Sequence, residues 1–430
     1  MTGILDIPAI LLGLAALFGA LNYWFVKLPH TIGLVVIALV ASLAAVGLDL
    51  IFPALGLSTA ANGFLESIDF NETLMKGMLS FLLFAGALHV DLGQLLSRKW
   101  TILILASFGV MLSSLIIGSG FWLATVALGI TIPFMICLVL GVIVTPTDPV
   151  AVLGLLKTLK VPPHLKAKIA GESLFNDGVA VVLFSIVVAI AFTATGHGDD
   201  GHGGKSITLA SGIWLFVKEA GGGAVLGLVG GLLAFWLMRR IDDYVLEVLI
   251  TLALVTGVYS IALHLHFSGP IAMVIAGLLI GNQGTALAMS QKTKDHLEKF
   301  WELVDEILNS VLFLLIGLEV VFILQHSGSG VSLPAAIVLI AVVILLSVAA
   351  RFTAIFLPLQ LKALRADVDR GTVPILTWAG IRGGISVALV LSLPDSPERG
   401  ILLLVTYCVV LFSVIVQGLT VERVIKRYFP

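Results

Sequence analysis

The chain is 430 residues long, 59% apolar and only 12% charged, with a formal net charge of −2 and a mean hydropathy of +1.13. Soluble domains carry about 25% charged residues, so the composition excludes that class; a charge this close to zero says little about partners, and no nucleic-acid partner is expected. Cys137 and Cys408 both fall inside apolar runs, which leaves no disulfide framework and no thiolate metal site.

A hydrocarbon core about 30 Å thick takes about 20 apolar residues per helix. On that rule the chain reads as an all-α polytopic membrane protein with about 13 transmembrane helices. They fall at 5–26, 30–49, 72–90, 100–126, 132–156, 168–193, 210–238, 244–264, 268–285, 300–325, 333–360, 372–393 and 399–421. The first run has no basic flank and contains Asp6, which suits a retained span better than a cleaved signal peptide. With the N-terminus outside and the C-terminus cytoplasmic, 18 of the 24 lysines and arginines fall on the inner side. That bias is the one expected of a multi-pass protein in the cell membrane.

Span 5 is interrupted by Thr145-Pro146-Thr147-Asp148-Pro149, and span 12 by Gly380-Ile381-Arg382-Gly383-Gly384. Proline removes a helical hydrogen bond and clashes with the preceding turn, and glycine loosens the backbone. Each interrupted span is second in a group of three. Span 12 comes seven spans after span 5, so an equivalent unit runs in the opposite membrane direction. Paired breaks of this kind point to two inverted repeats with a site near the midplane.

Span 6 opens with Gly171-Glu-Ser-Leu-Phe-Asn-Asp-Gly178. Residues four apart share a helix face, so Glu172, Ser173, Asn176 and Asp177 make one broad polar face that must turn into the bundle. A charge at the bilayer centre costs at least ~2.5–3.5 kcal/mol, and such residues mark ion pathways. Asp148, Glu172 and Asp177 face two intramembrane cations, Arg351 and Arg382. We pair Arg382 with Asp148 because the two breaks correspond, and Arg351 with Glu172. Asp177 is then the acid in excess, where proton and cation can compete for one carboxylate. Asp177 and Asp148, with Ser173, Asn176, Thr147 and main-chain carbonyls, offer hard oxygen ligands that suit Na+ or Li+.

These strings, with Phe300-Trp-Glu302, Leu308-Asn-Ser-Val-Leu-Phe-Leu314 and Trp378-Ala-Gly-Ile-Arg-Gly-Gly-Ile385, resemble the monovalent cation:proton antiporter family in its bacterial sodium/proton exchanger (NhaP-like) branch. The resemblance covers nearly the whole chain. It implies a transporter and not an enzyme, with Na+ (or Li+) and H+ as transported ions and no cofactor. It implies a homodimer in membrane lipid, with 1–98 and 210–325 as dimerisation scaffold and 99–193 and 333–424 as the moving ion-transport core. It further implies that Asp177 binds Na+ and H+ in turn with Asn176, Ser173 and the backbone near Thr147. Glu172 with Arg351 and Asp148 with Arg382 would be structural pairs. One departure is Phe84-Ala-Gly-Ala-Leu88, where some relatives carry an acid near Ala85.

A potassium/proton exchanger of the same family is the nearest alternative. A channel would need rings of carbonyls or charges along a pore, and an intramembrane aspartyl protease would need two carboxylates sharing one proton. The 197–205 segment reads as a solvated outer loop, His264 and His266 as interfacial residues, and Asp305 and Glu306 as acids at a helix start. Glu319 sits toward the outer end of span 10, where a pathway-lining role is open.

Overall fold

Because lipid offers no hydrogen bonds to an exposed backbone, apolar runs of this length must close their bonds internally as helices. The computed structural model describes every residue except 1–4, 67, 69, 149–160, 195–208, 285–290, 322, 324–330, 362–370 and 430, and among the described residues helices are joined by turns and short irregular stretches, with no strand. Among the described residues, eight helices are long and apolar enough to cross a membrane, and two shorter apolar helices, Phe134–Ile143 and Gly269–Asn282, accompany them. The three remaining predicted spans are polar or broken. Span 3 is assembled from Phe70–Glu72, a π-turn at Thr73–Met78 and Leu79–Leu88. Span 10 is a single helix with a charged inner half, and span 12 is split in two.

In chain order the helices used below are α1 (Asp6–Leu21), α2 (His30–Ile51), α3 (Leu57–Glu66), α4 (Leu79–Leu88), α5 (Leu92–Ser97), α6 (Lys99–Ala127), α7 (Phe134–Ile143) and α8 (Pro163–Ala194). They continue with α9 (Leu209–Met238), α10 (Tyr244–His264), α11 (Gly269–Leu279), α12 (Gln291–Leu318), α13 (Leu333–Leu359), α14 (Thr372–Trp378), α15 (Gly384–Leu391), α16 (Arg399–Phe412) and α17 (Gly418–Tyr428). Helix α12 begins nine residues before the expected position 300. Asp305 and Glu306 therefore lie in mid-helix, and their placement is not explained by a helix terminus.

Two packing groups stand out. Helices α6, α7, α8, α13, α14, α15 and α16 pack on one another, whereas α2 packs on α12, α4 on α11, and α9 and α10 on α11. The groups meet where α8 touches α4 and α11, and where α15 touches α12. Within the first group α6 and α7 approach so closely that a methyl group on Gly141 would lie 2.9 Å from the amide nitrogen of Gly118. Without a hydrophobic force between helices in lipid, contact of this kind between small residues supplies the attraction.

Candidate functional site: a crossed pair of helix breaks

Helix α7 ends at Ile143 and the chain leaves helical geometry at 145–148; α14 ends at Trp378, and α15 begins only at Gly384. The two breaks touch through their main chains, with the Asp148 amide donating to the Ile381 carbonyl at 2.7 Å. Arg382 donates to the carbonyls of Thr145 and Pro146, and so meets the unsatisfied acceptors just beyond the C-terminal end of α7. Asp148 lies against the opening of α15: a methyl group on Gly383 would come within 2.6 Å of its Cβ. That position favours an acid, because a helix N-terminus carries partial positive charge. Both residues of the expected Asp148–Arg382 pair thus lie at the crossed breaks. Each charge also stands at a helix end of the other repeat, and hydrogen bonds to carbonyls join the two breaks.

Span 6 supplies the rest as unbroken helix α8. Glu172 and Arg351 are brought together as a bidentate pair at 2.6 and 2.5 Å, and both are buried. The Asn176 amide donates one hydrogen to Glu172 Oε1 at 3.0 Å and the other to Thr147 Oγ1 at 2.8 Å, and its oxygen accepts from the Thr147 amide at 3.2 Å. Ser173 donates to the Thr147 carbonyl. Asn176 and Ser173 thus spend their polar atoms on fixing Thr147, and Glu172 has both oxygens committed. Asp177 is different. It is 3% exposed, and its Oδ1 is buried with no hydrogen-bond partner among the described residues.

A cavity of about 510 Å³ opens onto that carboxylate. Thr147, Asp148 and Asp177 line it, whereas Ser173 and Asn176 stand behind its wall. Glu302, Asp305, Glu306, His30 and His89 line it as well, and no lysine or arginine is among the described lining residues. From the sequence, Glu302 belongs to a motif, and Asp305 and Glu306 read as helix-start residues. Their i, i+3, i+4 spacing was the available sign that they share one face. At the departure noted above, Ala85 is fully buried, and the wall there is supplied by Gly86 and His89. Glu319 is buried but is not part of this cavity. His264 bonds its own helix at the Ser260 carbonyl. The segment 197–205 lies outside the described residues.

The family model for "Sodium/hydrogen exchanger, transmembrane" matches residues 12–427. The chain belongs to the sodium/hydrogen exchanger family. It is 44% identical to the Na(+)/H(+) antiporter NhaP of Pseudomonas aeruginosa over 426 residues, covering 99% of this chain and 97% of that protein. It is 36% identical to the Na(+)/H(+) antiporter NhaH of Halobacillus dabanensis, covering 93% of this chain and 92% of the relative. Among solved structures, the sodium proton antiporter MjNhaP1 of Methanocaldococcus jannaschii at pH 8 superposes with a TM-score of 0.71. The sequence identity is 18%, with 98% of this chain and 97% of the other covered. At that identity the likeness speaks to the fold: a polytopic membrane antiporter fold in which the sodium/hydrogen exchanger chain carries its two broken helices.

Proposed function

We propose that this member of the family is a secondary antiporter exchanging Na+ (or Li+) for H+ across the cell membrane, with a role in sodium and pH homeostasis. The relatives named above are Na+/H+ antiporters, and the chain matches them over nearly its whole length. The observation that carries the site assignment is the Asp177 carboxylate, buried with an unpartnered oxygen at the end of an acid-lined cavity. Every neighbouring polar group on α8 is engaged. A carboxylate left over in that way can hold a proton or a monovalent cation in turn. Thr147 and Asp148 lie on the same wall to complete an oxygen shell, and Asn176 and Ser173 set the position of Thr147.

On the orientation that the lysines and arginines favour, the cavity opens to the cytoplasm. The focusing of field lines by an acidic cleft with low-dielectric walls raises the local cation concentration. The outward step is a rocking of residues 99–193 and 333–424 against 1–98 and 210–325, with the latter also holding a homodimer together. The packing groups fall along that division. One free carboxylate gives one Na+ for one H+, an electroneutral exchange.

The test is cation-driven proton flux in proteoliposomes carrying Asp177→Asn. Flux should disappear while the protein still purifies and elutes as the wild type does, because the amide is nearly isosteric. Normal Na+-driven flux from this variant would overturn the site, and flux driven by K+ in place of Na+ in the wild type would overturn the choice of ion.

A further inference from the structure

A second carboxylate is stranded far from Asp177. Glu247, in the first turns of α10, is completely buried, and both of its oxygens lack a hydrogen-bond partner among the described residues. Buried polar groups are hydrogen-bonded as a rule, and a buried charge must be paired or coordinated. Among the described residues, the charged groups whose fields act on Glu247 are the acids Asp242 and Asp243, with no lysine or arginine among them. Thr251, also fully buried, follows one turn later on the same helix face.

The hydroxyl hydrogens nearby are spent elsewhere. Thr251 donates its own to the Val248 carbonyl at 2.8 Å, and its oxygen accepts from the Trp301 indole N–H at 3.1 Å. A hydroxyl has one hydrogen and two lone pairs, so Thr251 can turn only an acceptor toward Glu247. Thr293 donates its hydrogen to Asp242 Oδ1 at 3.3 Å. The first turn of α10 is built the same way: Asp243 Oδ1 already takes the amides of Val245 and Leu246. Among the described residues, the Thr251 and Thr293 hydroxyls therefore have no hydrogen left to give Glu247.

From this we infer that the sodium/hydrogen exchanger chain carries a second cation site at the cytoplasmic end of α10, separate from the transport site, in which Glu247 and Thr251 bind Na+ through oxygen with Asp242 at the rim. An oxygen-only set with one buried carboxylate suits a hard monovalent cation. The occupant would stabilise the α10–α12 contact, because Thr251 holds Trp301 and the next residue on α12, Glu302, faces the transport cavity. The site therefore links cytoplasmic Na+ to the position of a cavity wall.

The experiment is thermal unfolding of the full-length purified protein in detergent, with NaCl varied against choline chloride at constant ionic strength. The transport site is silenced by Asp177→Asn in every sample. Ligand that binds only the folded state raises Tm with the logarithm of its concentration. The Asp177→Asn protein should still show that rise, and adding Glu247→Gln should abolish it. If the Asp177→Asn protein shows no Na+-dependent shift, Glu247 carries a proton instead of a cation and the inference fails; so does it if the double variant keeps the full shift. Should Glu247→Gln fold poorly, Asp177→Asn with Thr251→Val removes one ligand oxygen. The Na+ concentration at half-shift should then rise by at least about tenfold, and an unchanged midpoint would equally overturn the site. Loss of transport in Asp177→Asn bears on the transport site alone, so the two readings fail separately.

Discussion

Asn176 and Thr147 hold each other by two hydrogen bonds of opposite sense: the Thr147 amide donates to Asn176 Oδ1 at 3.2 Å, and Asn176 Nδ2 donates to Thr147 Oγ1 at 2.8 Å. This clasp joins an unbroken helix to the non-helical stretch of its neighbour. It gives the Thr147 amide, freed from helical bonding by the break, a partner inside the membrane.

Replacing Asn176 by Ala should strand that amide and weaken the fold by about 1–3 kcal/mol, the cost of one buried unsatisfied group. Since Thr147 lies on the cavity wall, the Na+ concentration for half-maximal exchange should rise as well. Tm and Na+-dependent proton flux measured on the same preparation check both. A variant with unchanged Tm and unchanged Na+ dependence would mean that the clasp contributes nothing.

Glu172→Gln and Arg351→Gln should each destabilise the protein by about 3–5 kcal/mol, because either change leaves a buried charge without its partner. The double substitution leaves no charge behind and should recover part of the loss. A double-mutant cycle on thermal or denaturant unfolding measures the coupling, and purely additive losses would contradict a bidentate pair at 2.5–2.6 Å.

Competition between proton and cation for Asp177 sets a pH dependence with a definite sign. On the acid side of the site's titration, the Na+ concentration for half-maximal exchange should rise by about tenfold per pH unit, as linkage between one proton and one cation requires. On the alkaline side that concentration should level off while the turnover rate falls, because the return step needs a bound proton. Initial rates across a pH series at several Na+ concentrations decide it. An Na+ dependence that ignores pH would rule out a shared carboxylate.

Exchange should also be electroneutral, since Glu172 is tied to Arg351 and Asp177 is the single acid assigned to alternate between the two ions. Moving one elementary charge through 100 mV is worth ~2.3 kcal/mol, so net charge movement would shift the balance point strongly with voltage. Proteoliposomes clamped by potassium and valinomycin, with a Na+ gradient opposed by a matching pH gradient, provide the measurement. A balance point that follows the concentration ratios alone is the expected result.

The sequence by itself determined the membrane class, the spans, the two breaks and the odd acid. Apolar run length and the cost of intramembrane charge are local properties that need no knowledge of neighbours. Pro146, Pro149 and the glycines around Arg382 announce non-helical backbone wherever the chain goes, and three acids against two arginines leave one over by counting. Only the tertiary structure decided which partner each charge takes. The corresponding breaks suggest only that Arg382 and Asp148 meet; crossing them also puts the guanidinium at carbonyls past α7 and the carboxylate at the start of α15. The partial charges of those helix ends arise from backbone direction and are invisible in residue identity. The same holds for the acids that line the cavity from α12: Glu302, Asp305 and Glu306 reach the space in front of Asp177 only because α12 packs against α2 and α4, contacts separated by hundreds of residues along the chain. Spacing can show that side chains share a face, but which space that face borders is fixed by packing.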